Sequence, residues 1–148
     1  MKYYKIDPEV AGGWGPNTVI STLSGGEKVV TRLQYVFDGW LGDEIVEGSQ
    51  CFVVTESLAI TLESLSLSGF TLKGVEVMTS DLYRELYPDR PLPRCLWLSV
   101  GRRPGRDDLG LDADGRLVVS EKALAALRSH RLQHCDIMQV PEGIDLGN

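Results

Sequence analysis

Four small constellations carry residue types that do chemistry. His130 and His134 stand four apart and are followed by Cys135 and Asp136. On one continuous helix that spacing would put two imidazoles on one face, the beginning of a metal site. Here the helical pattern ends near His130, no HExxH glutamate accompanies the pair, and no third ligand clusters with it. The sequence therefore implies no metal and no cofactor. Two glycine-bearing stretches, Gly12-Gly13-Trp14-Gly15 and Gly101–Gly105, lack the GKS, GKT or strand-bound GxGxxG pattern of a phosphate cradle. No GxSxG esterase motif is present. Cys51, Cys95 and Cys135 are far apart in sequence, form no CxxC pair, and read as reduced thiols packed like small hydrophobes.

The segment Asp38-Gly39-Trp40-Leu41-Gly42-Asp43-Glu44 sets a large aromatic among acids in a glycine-punctuated loop. Asp38 and Asp43 have the residue type for general acid–base work, but nothing in the sequence supplies a substrate pocket. Tryptophan is a preferred anchor at protein interfaces, and acids around it speed encounter with a basic partner. Asp38, Trp40, Asp43, Glu44 and Glu47 are accordingly candidate partner-binding residues. The alternative is a loop whose Trp40 folds back into the core. Arg102 and Arg103, in Gly101–Asp108, are further candidates, because guanidinium groups grip carboxylates and phosphates. The competing reading pairs these arginines with Asp107 and Asp108 at the surface.

Charge narrows the classes. The net charge is −6 over 148 residues, against the basic footprint of a nucleic-acid binder. Acids without any Lys or Arg occupy the stretch from Leu33 to Leu72, and arginines dominate from Arg84 to Arg106. Such asymmetry either steers a charged partner or marks two solvated faces. No apolar run approaches the roughly 20 residues of a membrane span, and MKYYKIDPEV has no apolar signal core, so a cytoplasmic protein is expected.

The elements that must position these residues follow from periodicity. Lys2–Ile6 and Lys28–Phe37 read as strands, Ala11–Asn17 as a loop broken by three glycines and a proline, and Asp38–Gln50 as a loop with a short strand at Glu44–Glu47. Ser80–Tyr87 reads as a short helix capped by Ser80, and Arg94–Val100 as a strand. Leu109–Leu111 and Arg116–Val119 form a hairpin around Asp114-Gly115. One unit occurs twice, at residues 51–77 and 116–140: an apolar strand, a Thr or Ser cap, a leucine-bearing helix and a return strand. At one constant offset Val54-Thr55-Glu56 matches Val119-Ser120-Glu121, Leu62 matches Leu127, Leu67 matches Leu132, Phe70 matches Cys135 and Leu72 matches Ile137, without a gap. Two such units side by side predict an α/β domain over residues 1–148: one mixed sheet flanked by helices, α+β being the alternative. Pro141–Asn148 has the composition of a flexible tail.

The stretches FVVTESL…LSGF…VEV and LVVSEKALAALRS…CDI each resemble a strand–helix–strand element of the Imm11 (DUF1629) immunity proteins of bacterial polymorphic-toxin loci. EVAGGWGPNTV, RLQYVFDGWLGDEIVE and ELYPDRPLPRCLWL resemble the wider group. The resemblance covers about two thirds of the chain and its motifs are structural. This chain departs from the family by carrying the element twice. The resemblance implies a non-enzymatic protein that binds and neutralises a cognate toxin domain, a basic one by charge. The competing expectations are a small enzyme or ligand-binding protein using the Gly- and Arg-rich loops, and a module that homodimerises through a sheet edge.

Overall fold

The structure is a computed structural model that describes residues 2–143 and 146. Along the chain run β1 (Tyr3–Asp7), β2 (Glu9–Val10), β3 (Gly12–Trp14), β4 (Val19–Thr22), β5 (Lys28–Arg32), β6 (Gln34–Phe37), β7 (Ile45–Gly48), β8 (Cys51–Thr55), α1 (Glu56–Ser64), β9 (Phe70–Lys73), β10 (Glu76–Thr79), α2 (Asp81–Leu86), β11 (Cys95–Val100), β12 (Leu109–Leu111), β13 (Leu117–Ser120), α3 (Glu121–Arg128) and β14 (Asp136–Gln139). They form sheets of order β2-β7-β8-β11-β9, β12-β13-β1-β14 and β10-β6-β3, and the two-stranded β4-β5.

The expected α/β sheet flanked by helices is not what forms. The protein is 40% strand and 16% helix, with several sheets and three short helices. The reason lies in how the repeat closes. Each helix returns its chain parallel to the strand it left, but one place over, and an antiparallel strand from elsewhere fills the gap. In the first unit β11 lies between β8 and β9, and in the second β1 lies between β13 and β14. These are split strand–helix–strand units. The strand that completes each is remote in sequence, so local patterning could not announce it.

The two units superpose in register. Thr55 faces Cys95 as Ser120 faces Tyr3, and Leu98 faces Leu72 as Ile6 faces Ile137. The first helical residue donates its N–H to the carbonyl just before the inserted strand in both units: Glu56 to Arg94 (2.8 Å) and Glu121 to Lys2 (3.1 Å). The caps are equivalent too, Thr55 Oγ1 accepting from Leu58 N–H and Ser120 Oγ from Ala123 N–H. α1 ends at Ser64, and the chain leaves it through Ser66 and Gly69 in left-handed conformations (φ 53° and 99°).

Both helices turn their apolar faces to one core. Leu58, Leu62, Leu124 and Leu127 meet Phe52, Val54, Leu98, Leu117 and Val119 there. A second cluster covers the opposite face of the first unit's sheet, where Val46, Val53 and Trp97 pack against Leu33, Tyr35, Phe37 and Tyr83. This is why β8 is apolar at consecutive positions: both of its faces are covered. The glycines of Gly12-Gly13-Trp14 form a strand rather than the loop that composition predicts. A Cβ at Gly12 would lie 1.8 Å from Val36 O, and one at Gly48 would lie 2.1 Å from Gly12 O. Only glycine allows these backbones so close. Lys28–Phe37 divides into β5 and β6, and the return from Phe70 divides at Gly74–Val75, so that β10 leaves for another sheet and pairs parallel with β6. Of the expected tail, residues 144, 145, 147 and 148 lie outside the described residues.

Candidate functional site

The Asp38–Glu47 segment does not hang free. Ala11 O accepts both the Asp38 and Gly39 N–H groups (2.8 and 3.3 Å), and the buried Glu9 carboxylate accepts from Leu41 N–H at 2.6 Å and Asp43 N–H at 3.4 Å. The Trp40 indole N–H donates to Asp43 O at 2.8 Å. Arg90 donates to Trp40 O at 2.6 Å, and its guanidinium stands 4.6 Å from the Trp40 ring centre. Trp40 is thus half-buried against the second cluster, while Asp38, Leu41 and the neighbouring Val10 face water. Val10 and Leu41 are 73% and 51% exposed, which makes them the unshielded apolar groups of this surface. Glu9, Val10, Leu41 and Arg90 were not apparent as site residues. A Glu followed by alternating burial in an edge strand carries no signal until its partner loop is known.

Asp43 and Glu44 turn inward and tie the two units together. Asp43 is 1% exposed, and its carboxylate accepts from Gln133 N–H (2.9 Å) and His134 N–H (2.7 Å). Glu44 Oε1 accepts from the Thr55 hydroxyl (2.8 Å), and Oε2 accepts from Arg131 N–H (3.1 Å). The second unit repeats the device in the opposite direction. Asp108 Oδ1 accepts from the Ser120 hydroxyl (2.7 Å), and Oδ2 from Ser68 N–H (3.0 Å). Each unit has an acid just before its first hairpin strand. That acid binds its own helix cap and the other unit's post-helix loop. Burial alone would raise both carboxyls. For Glu44, hydrogen bonds from Arg131, Thr55 and His130 outweigh burial. For Asp108, those from Ser68 and Ser120 do the same. Both groups sit below their ordinary values.

One chain of contacts has the connectivity of a nucleophile, a base and an orienting carboxylate. Thr61 Oγ1 lies 2.7 Å from His130 Nε2, and His130 Nδ1 lies 3.0 Å from Glu44 Oε1. The surroundings do not complete a catalytic site. Thr61 is inside α1, where backbone N–H groups are committed to the helix and none is free to receive an oxyanion. Glu44 is shared with Thr55 and Arg131. The chain of bonds is a polar tie between α1 and the end of α3.

The remaining candidates lie apart from this loop. Glu47 is in the β7–β8 hairpin. Burial, then the nearby Asp7, push its carboxyl up, and Arg116 partly offsets them. Arg103 reaches Asp107 at 4.0 Å, the surface pairing anticipated as the alternative. Arg102 is exposed and lines a groove with Trp14 and Trp97. The seven candidate residues therefore do not converge on one surface. His134 is exposed, with its backbone N–H on Asp43, and points to no shared ligand with His130. Among the described residues no group of three or more His, Cys, Asp or Glu is arranged to hold a metal, and no helix is long and apolar enough to cross a membrane. The three cysteines are free. Burial pushes the Cys95 thiol up to about 11 and is the main cause that takes Cys135 to about 12, so neither is a reactive thiolate.

No protein-family model matches this chain, and no curated protein or solved structure matches it.

Proposed function

We propose that this protein acts by binding another protein, as a cytoplasmic immunity protein that neutralises a cognate bacterial toxin domain without chemistry of its own. The observation that carries this reading is the braced loop at residues 38–43. Glu9, Arg90 and the Trp40–Asp43 bond hold it rigid from beneath, while Asp38, Leu41 and Val10 face outward. A surface pre-organised in this way loses little conformational entropy on binding. The net charge of −6 suits a basic partner and speeds encounter. The resemblance of the repeated element to Imm11-type immunity proteins supplies the toxin class. In this reading Leu41 and Val10 serve as apolar anchors beside Asp38, and Trp40 and Asp43 support them.

The test is co-expression with the toxin domain encoded beside its gene. Growth is restored, and the two chains co-elute on gel filtration. Changing Val10 and Leu41 to Asp abolishes rescue while leaving the unfolding free energy from urea titration within about 0.5 kcal/mol of the parent, because both side chains are exposed. Absence of both rescue and complex with the parent chain would overturn the reading.

A further inference from the structure

A groove of about 530 Å³ opens where the β4–β5 hairpin stands against the ends of β8 and β11. That volume lies within the range of small-molecule sites. Its position follows from the glycines already described. Gly12 and Gly48 bring β3 down onto β7, which carries Trp14 over the start of β8. There its indole N–H donates to Cys51 Sγ at 3.3 Å and its backbone N–H to Ser49 Oγ at 3.3 Å. The Trp14 ring is therefore oriented, yet 42% exposed. Trp97 of β11 is in the lining but only 6% exposed, and Ile20 and Val30 of the hairpin close one side.

The charges around this groove run against those of the chain. Lys28 and Arg102 line it, with Glu27 the one acid in the lining among the described residues. Among the described residues neither Lys28 nor Arg102 makes an ion pair. In a protein of net charge −6 this is a local excess of uncommitted cations beside the exposed Trp14 ring. Cys51 is no nucleophile here, since burial raises its thiol. The groove has the means to bind and none to react.

We propose that this groove is a binding site for a small organic anion, its flat apolar body against Trp14, Ile20 and Val30 and its carboxylate or sulfonate toward Lys28 and Arg102. Stacking on indole and a charge-assisted hydrogen bond from a guanidinium give it two independent sources of selectivity. The site shares no residue with the Asp38–Leu41 loop, so it stands or falls apart from the proposed partner.

The test is titration of the full chain with naphthalene-2-carboxylate, followed by the three tryptophan indole N–H signals in ¹⁵N–¹H spectra. A saturable shift of Trp14 is expected, with Trp40 still, because it sits under the other loop. The neutral naphthalene-2-methanol binds about tenfold more weakly, and Lys28→Glu with Arg102→Glu removes the preference for the anion, a loss of about 1.4 kcal/mol. Both side chains are exposed, and Arg102→Gln provides a milder check should the charge reversal disturb the fold. No saturable shift up to about 1 mM, equal shifts at all three indoles, or equal binding of the acid and the alcohol would each overturn the proposal.

Discussion

The two split units share topology, register, caps and reciprocal carboxylates, and differ on the outer faces of their sheets. In the first, Val46, Val53 and Trp97 point outward into an apolar cluster roofed by β3, β6 and β10. The corresponding positions of the second are Gly110, Val118 and Lys5. There Lys5 pairs with Asp112 at 3.0 Å and Arg116 with Asp7 at 2.8 Å, and the loop bearing Pro104 lies directly on Gly110, where a Cβ would come within 2.7 Å. The inner faces are constrained alike because both feed one core. The outer faces were free to diverge, and the first acquired the extra strands and the 38–43 loop that the proposed function uses. The anion groove lies at the edge of the same added layer. Novel surface is concentrated where the duplicated pattern was decorated.

The sharpest way to break this comparison is to exchange the consequences of an equivalent pair. Trp97→Ala is expected to cost about 3–5 kcal/mol in urea unfolding, because a large buried side chain leaves a cavity. Lys5→Ala, at the matching position, is expected to cost about 2 kcal/mol, mainly by stranding the buried Asp112 carboxylate. Equal losses would mean that the outer faces are not energetically distinct.

The reciprocal carboxylates offer a second comparison. Asp43→Ala is expected to lose about 3 kcal/mol, since two backbone N–H groups lose their acceptor. Asp108→Ala is expected to lose about 2 kcal/mol, Asp108 itself being less buried than Asp43. The reverse order would place the stronger tie in the second unit.

The pH dependence follows in sign. Glu44 and Asp108 have folded values below their ordinary 4.5 and 3.8. The stability they contribute is therefore fully present above those values and is lost as pH falls through them toward the folded values. Glu44→Gln combined with Asp108→Asn should flatten the decline of unfolding free energy between about pH 5 and 3. An unchanged slope would show that other carboxyls govern acid unfolding.

The smallest expected effect concerns the hairpin turns. Ser49 and Gln50 are left-handed without being glycine (φ 51° and 64°), whereas the second hairpin uses Gly115 (φ 80°). Gln50→Gly should raise stability by about 0.5 kcal/mol and Gly115→Ala should lower it by about 1 kcal/mol, read from urea midpoints.

Much of the local structure was legible. Thr55, Ser80 and Ser120 cap helices where their spacing placed them, Gly115 turns the second hairpin, and the ungapped match of the two units survives to the level of strand register. The fold class was not legible, because β1 and β11 enter their units from far along the chain. The residues of the candidate loop were assigned by type. Tryptophan and aspartate suit an interface and a buried brace equally well. What separates the two is the position of Glu9 and Arg90, remote residues that reach Leu41 N–H and Trp40 O. The pairing of Glu44 with Asp108 had a readable signal: an acid directly before the first strand of each hairpin.

The sequence by itself determined the duplication, the caps, the apolar faces and the acidic balance, because these depend on residues within a few turns or strands of one another. Only the tertiary structure decided which antiparallel strand entered each unit, which loop acids turned inward, and where Lys28 and Arg102 met the Trp14 indole. Those outcomes depend on backbone hydrogen bonds and close glycine contacts between segments up to the whole chain apart, and no local pattern encodes a partner that distant.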